Sequence, residues 1–209
     1  MRTLPPGTIL QIMYSKERLV HLKPGRFIEI GPGTGEISNV LLELGWVGVS
    51  YDVEPRTIDR LRDRFRIHIS QGGFDAVEKD FFQAHESSLG KVDLIITWMV
   101  MEHWTDCLEN KFMSRSAELL KDDGLILGLV PASEAHWGIE DDIAGHCRRY
   151  TRGGLRELAD SNGWKIRHCA GLTYPISNIF LPVSNFLVRR AEKSKLEMSD
   201  TEKNQGVRI

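Results

Sequence analysis

Cysteine is scarce in this chain of 209 residues, and the three present form no pattern. Cys107, Cys147 and Cys169 are odd in number, include no C-x-x-C pair and match no zinc-ligand spacing. A disulfide scaffold is thereby excluded, and a reducing, cytoplasmic compartment is expected. The segment MRTLPPGTIL has no apolar core of the length a signal peptide carries, and no N-x-S/T acceptor occurs. Long hydrophobic runs are missing too. The longest uncharged stretch, 172–188, is interrupted by Pro175, Asn178, Pro182 and Asn185, so no membrane span is expected. Nor does one sign of charge dominate. Lys and Arg number 27 against 29 Asp and Glu, a net charge of −2, and no global basic field points to nucleic acid.

Charge is nonetheless uneven. From His146 to Lys193, nine Lys/Arg stand against three Asp/Glu, a local +6 that leaves −8 for the remainder. Solvated helix faces are the simpler account; a basic surface toward an anionic substrate or an acidic membrane is the sharper one.

Hydrophobic periodicity supplies the elements. Ile9, Ile12, Met13, Leu19 and Val20 mark a helix over 7–22, with Met13 expected to pack in the core. Phe27, Ile28 and Ile30 form a short strand, the glycine-rich turn 31–35 follows, and 36–44 is a helix closed by Gly45. A second strand, 47–51, ends at Asp52, and Pro55 opens a helix running into 60–69. A third strand spans 74–79 and ends at Asp80. The run VDLIITW, 92–98, reads as a strand buried on both faces. A helix over 106–121, a turn at Asp122-Asp123-Gly124 and a strand over 125–130 come next. Residues 132–150 show no periodicity. Thr151 caps a helix through Ser161 with Leu155, Leu158 and Ala159 inward, and 164–169 is expected as a strand. Ile176 to Leu187 makes one more helical stripe.

Strands alternating with helices predict an α/β, doubly wound, mostly parallel sheet with helices on both faces. A single domain over 1–190 with a polar tail over 191–209 is expected. In such sheets ligands bind at the carboxyl ends of the strands, where the strand order switches. The glycine turn after the first strand therefore marks the candidate site.

That turn reads Glu29-Ile-Gly31-Pro-Gly33-Thr-Gly35-Glu36. It has no GK[ST] ending, and Glu36 stands where a dinucleotide fingerprint places its third glycine. Asp52 is placed to accept two ribose hydroxyls, with a turn or cap aspartate as the alternative. Asp80 can accept from an adenine amino group while Phe81 packs on the ring, with a turn residue again the alternative.

The order EIGPGTGE, Asp52, Asp80-Phe81, VDLIITWMVMEH and LLKDDGLILGLVP resembles the class I S-adenosylmethionine-dependent methyltransferases over most of 26–170. The resemblance implies a Rossmann-like seven-stranded sheet with one antiparallel strand near its end. It implies S-adenosylmethionine as cofactor, contacted by Glu29 and by Gly31, Gly33 and Gly35 at its methionine and ribose portions. Asp52 would hold the ribose and Asp80 with Phe81 the adenine, and Trp98 would lie beside the sulfonium. The helix before the first strand would act as a lid, with Tyr14 on the substrate side. A cation suits carboxylates and aromatic faces, and an in-line displacement gains from alignment.

His103 and His146 are the candidate catalytic bases for a substrate hydroxyl, with loop positioning as the alternative. Some relatives carry Glu-x-x-Glu-His at this point and use a divalent metal. Here Met99 replaces the first glutamate, and a thioether is a poor ligand for a hard cation, so no metal is expected unless His146 adds a ligand. Gly145-His-Cys-Arg-Arg-Tyr-Thr151 resembles a bacterial subgroup acting on small molecules, lipids or glycans. Arg148 and Arg149 would bind an anionic group of the substrate, or else pair with Glu140, Asp141 and Asp142. The stripe 176–187 with Arg189-Arg190 is a core or dimer face, or an interfacial helix on lipid. The segment 206–209 is too short for the last strand that the resemblance implies.

The expected function is methyl transfer to oxygen, less readily nitrogen, of a small-molecule, lipid or glycan acceptor. A non-catalytic cofactor-binding module, an RNA 2′-O-methyltransferase and a nicotinamide-dependent enzyme are the rivals.

Overall fold

The structure is a computed structural model that describes residues 4–83 and 90–172. These fall into two compact units, one drawn from Met1–Met101 and Asp106–Leu129, the other from Glu102–Thr105 and Val130–Ile209.

The first unit is built on five parallel strands: β1 (Arg26–Ile30), β2 (Val47–Asp52), β3 (Phe74–Glu78), β4 (Val92–Trp98) and β5 (Leu120–Leu129). Their order is β3-β2-β1-β4-β5. From β1 the chain moves outward to β2 and β3, then returns to the other side of β1 as β4. β1 lies between β2 and β4, with Phe27 opposite Gly48 on one side and Leu94 on the other. The strand order therefore switches at the carboxyl end of β1, where the glycine turn begins.

Helices connect the strands: α1 (Pro6–Leu19) before the sheet, α2 (Glu36–Glu43), α3 (Pro55–Arg64) and α4 (Arg66–Ser70) between β1 and β3, and α5 (Asp106–Leu119) before β5. Right-handed crossovers in opposite directions from β1 set α2 and α3 on one face and α5 on the other. Phe27, Leu94, Ile96, Phe74 and Ala76 pack with Leu19, Leu41, Ile58 and Leu61 in one core cluster. Complete burial of each such large side chain stabilises by roughly 1.5–3 kcal/mol, which holds the glycine turn's two flanks rigid. β4 is buried at five of its seven positions, as the apolar run predicts.

Three expectations need correction here. Residues 122–124 are not a turn but part of β5. Val92 opposes Leu120 while Leu94 opposes Leu125, so the intervening Lys121–Gly124 are accommodated as an irregularity in the ladder. Met13 is 63% exposed rather than in the core. The helix expected to run through 60–69 breaks at Phe65, whose φ of −108° and ψ of 20° depart from helical values while its ring is buried against Phe74.

In the second unit, an unexpected helix α6 (Ile139–Ala144) precedes α7 (Arg152–Ser161). Thr151 caps α7 as expected, accepting from the Gly154 N–H at 3.0 Å. Residues 164–169 are irregular rather than a strand. Among the described residues no strand pairs with them, and an unpaired strand has no ladder to hold it. The stripe 176–187, Arg189-Arg190, the tail 191–209 and the segment 206–209 lie outside the described residues. No described helix is long and apolar enough to cross a membrane.

Candidate functional site

Three glycines of the turn have left-handed backbone: Gly31 at φ 62°, Gly33 at 55° and Gly35 at 80°. Their surroundings differ. A Cβ on Gly31 would stand 2.5 Å from Val100, and one on Gly35 would stand 2.6 Å from Leu61 and 2.8 Å from Phe65. A Cβ on Gly33 would meet nothing within 4 Å. Packing thus demands glycine at Gly35, whereas at Gly33 bare backbone faces open space that a ligand can approach.

The turn is braced from beneath by residues whose role no spacing signalled. Glu29 is 1% exposed, and its Oε2 accepts from the hydroxyls of Ser38 on α2 and Ser50 on β2, the latter at 2.8 Å. Burial pushes the Glu29 carboxyl above its ordinary value despite both hydroxyls. Its Oε2 thereby ties β1 to α2 and β2 beneath the turn. Arg64, at the end of α3, donates to the Thr34 carbonyl and holds Glu36 with both arms.

Asp52 ends β2, half-buried, and its Oδ1 accepts from the Glu54 N–H at 2.9 Å. Burial raises its carboxyl, opposed by the N–H groups of Glu54 and Val53. Asp80 follows β3, and its Oδ1 accepts from the Phe82 N–H at 2.9 Å. Phe81 departs from expectation. It is 3% exposed and packs on Phe82 and Phe112, centroids 5.6 and 5.9 Å away, so its ring belongs to the core.

Tyr14 and Ser15 of α1, Ile37 of α2, Trp98 of β4 and Leu129 of β5 line one small cavity. The structure therefore brings Tyr14 and Trp98 to the same cavity. Immediately after Trp98, Met99 holds φ at 55°, an uncommon conformation for a residue with a side chain, while its N–H donates to the Leu129 carbonyl at 2.8 Å.

The second unit gathers a separate set. Glu102 is fully buried, and neither of its carboxylate oxygens has a hydrogen-bond partner among the described residues. Burial pushes its carboxyl up to about 7, against the pull of its own backbone and of His146. His146 Nε2 lies 3.8 Å from Glu102 Oε1, and the His103 and His146 rings meet edge to face with centroids 4.9 Å apart. Burial, then His146, holds the His103 imidazole below its ordinary value. Asp141, also fully buried, accepts from His146 Nδ1 and Arg149 Nε at 2.8 Å each and from the Gly138 N–H at 2.7 Å. Burial raises the Asp141 carboxyl, but these donors outweigh it and hold it low.

Arg149 also donates to the Ala132 carbonyl at 3.2 Å. It therefore braces the loop instead of being presented to a ligand, which is the alternative weighed for it above. Arg148 is half-buried. One ligand atom from each of Glu102, His103 and His146 lies within 4.8 Å of the others. A buried carboxylate beside two imidazoles is a donor set that suits a divalent ion.

A methyltransferase-domain family profile matches residues 11–169. The chain is 35% identical over 65 residues to a chloroplastic ribosomal RNA small subunit methyltransferase of Arabidopsis thaliana, a match spanning 31% of this chain and 18% of that protein. It resembles magnesium protoporphyrin IX methyltransferase from Synechocystis PCC 6803, solved with S-adenosylhomocysteine, at TM-score 0.64 and 16% identity over 82% of this chain and 84% of that one. It also resembles an O-methyltransferase from neocarzinostatin biosynthesis, solved with S-adenosylmethionine and a naphthoic acid, at TM-score 0.62 and 20% identity over 80% of this chain and 52% of that one. These structural likenesses concern the fold. With the family profile covering most of its length, this chain belongs to the methyltransferase-domain family.

Proposed function

We propose that this protein transfers the methyl group of S-adenosylmethionine to an oxygen, less readily a nitrogen, of a small-molecule, lipid or glycan acceptor. The carrying observation is the left-handed glycine turn at the point where strand order switches, with Asp52 ending the neighbouring strand.

When bound, the cofactor supplies an electrophilic methyl group on a sulfonium. Gly33 presents backbone without a side chain in the way. Asp52 at the end of β2 and Asp80 just after β3 offer their carboxylates to ribose hydroxyls and to the adenine amino group. Tyr14 and Trp98 share a cavity at the end of β4 and provide aromatic faces to a cation. His103 and His146, with Glu102, activate the acceptor hydroxyl. The position of Glu102 and His103 just after β4 supports that assignment, as does the approach of His146 to both. Arg148 is the remaining candidate for an anionic group on the acceptor. A cytoplasmic location belongs to the same proposal.

Calorimetric titration of the full chain with S-adenosylhomocysteine, with NAD as control, tests the cofactor half. One-to-one micromolar binding is expected, weakened roughly 10- to 100-fold in Asp52→Ala because charge-assisted hydrogen bonds are lost. Equal binding of NAD, or an indifferent Asp52→Ala, overturns it. An acceptor panel of phenols, glycans, lipids and ribosomal RNA tests the other half. His103→Ala is expected to lower turnover while leaving cofactor affinity unchanged. Turnover confined to RNA would shift the acceptor class to nucleic acid.

A further inference from the structure

Glu102 poses a physical problem. A carboxylate removed from water without hydrogen bonds is strongly disfavoured, and buried charges are retained when paired or bound to metal. Here both oxygens lack partners among the described residues at 0% exposure. The neighbouring positive candidates do not resolve it. His146 Nε2 is 3.8 Å away, beyond hydrogen-bond distance, and Arg149 is directed to Asp141 instead.

The two imidazoles are oriented from outside. His146 Nδ1 meets Asp141 Oδ1 at 2.8 Å, and Asp141 is itself anchored by Arg149 and the Gly138 N–H. Asp141 thereby turns the Nδ1 of His146 toward itself and leaves Nε2 on the Glu102 side, 3.8 Å from Oε1. His103 is held by the Gly145 backbone. A carboxylate on the nitrogen turned away from the ion is the outer arrangement of a metal-bound histidine, and Asp141 supplies it to His146.

From this geometry we infer that Glu102, His103 and His146 form a divalent-cation subsite oriented by Asp141, selective for borderline first-row cations over Mg2+. This rests on the acceptor-activating role proposed above for the same cluster and names what does the activating. Donors about 2.1 Å from a shared ion are at most about 4.2 Å apart. All separations here are within 4.8 Å, whereas donors around a tetrahedral ion stand about 3.4 Å apart, so closure draws the three groups together by up to about 1.4 Å. Two nitrogens and one carboxylate suit Zn2+, Co2+ or Mn2+, whereas Mg2+ favours an all-oxygen octahedron. Methionine at position 99 supplies no hard oxygen to shift that preference. Asp141 is a positioning residue: it touches His146, not the ion.

The test is calorimetry of the chelator-stripped full chain with Zn2+, Co2+, Mn2+ and Mg2+ in turn, with the visible absorption of Co2+ as a second readout. S-adenosylhomocysteine is titrated in parallel. The expected result is one site, with Zn2+ and Co2+ bound at least about 100-fold more tightly than Mg2+. Glu102→Gln is expected to abolish it. Asp141→Asn is expected to weaken it about 10- to 100-fold, the scale of outer-shell changes, with S-adenosylhomocysteine affinity retained. No cation binding in a chain that binds S-adenosylhomocysteine overturns the subsite. Zn2+ binding unchanged in Glu102→Gln does so too, since it places the ion elsewhere. Mg2+ binding as tight as Co2+ overturns the selectivity, and an unaffected Asp141→Asn overturns the positioning role. A parent chain that binds cations but not S-adenosylhomocysteine counts against the methyl-transfer reading and leaves the subsite standing.

Discussion

Arg64 holds Glu36 with both arms of its guanidinium, Nη1 to Oε1 at 2.9 Å and Nη2 to Oε2 at 3.3 Å. The same Nη1 donates to the Thr34 carbonyl, inside the glycine turn. One side chain from the end of α3 thus fixes both the turn and the first residue of α2. The side chains are 33% and 27% exposed, so solvent screens the pair and its contribution to global stability is small. Its larger effect is local, because a turn that fluctuates must be ordered when the cofactor binds. Arg64→Ala is therefore expected to shift the melting temperature little but to raise the dissociation constant for S-adenosylhomocysteine about two- to fivefold, the scale of an exposed pair. Arg64→Lys, which cannot make the forked contact, is expected to rescue only part of this. Calorimetry on the three proteins decides it; equal affinities remove Arg64 from the site.

Gly33 and Gly35 separate ligand approach from packing within the same turn. Both have positive φ, so alanine costs about 1–2 kcal/mol at either position. Only at Gly35 does the added carbon also strike buried side chains, Leu61 and Phe65. Gly35→Ala is expected to show the larger fall in melting temperature. Gly33→Ala is expected to melt closer to the parent and to lose at least about tenfold in S-adenosylhomocysteine affinity, a contact term of about 1.4 kcal/mol. Thermal melts and titrations of both variants check the contrast. If Gly33→Ala binds like the parent, the open space above Gly33 is not where the cofactor lies.

The strands were readable because a buried parallel sheet needs continuous apolar runs, and VDLIITW is one; its bounds agree with β4. The glycine turn and Asp52 were readable because backbone geometry demands particular residues there. What escaped depended on partners distant in sequence. Ser38 and Ser50 are ordinary polar residues until Glu29 is seen between them. Phe81 next to Phe82 is ambiguous until Phe112 is seen to cover one of them. α6 was missed because six residues, IEDDIA, are too few to show a helical period. Its ends did carry signals: Gly138 and Gly145 bracket it, and Asp141 stands three residues after Gly138, where its carboxylate takes the Gly138 N–H. The cluster around Glu102 joins residues 39 to 47 positions apart, Asp141 to Arg149, and only the fold brings them together.

Glu29 supplies a prediction whose sign follows from its environment. Burial raises its folded-state carboxyl above the ordinary 4.5, and the hydroxyls of Ser38 and Ser50 offset this only in part. Between 4.5 and the raised value, the folded chain binds more protons at this site than the unfolded chain. Its contribution to stability is therefore complete below the unfolded value and is lost as pH rises through the folded one. Glutamine has the same shape, still accepts from both hydroxyls and never ionises. Glu29→Gln is thus expected to remove one declining component from the stability–pH curve, so that variant minus parent grows more favourable from pH 4 toward pH 8. Urea unfolding of both proteins across that range measures the difference directly, with the other titrating groups cancelling between them. Parallel curves would mean that Glu29 ionises in the folded state as readily as in the unfolded one, and that the two serines fully replace the water it loses.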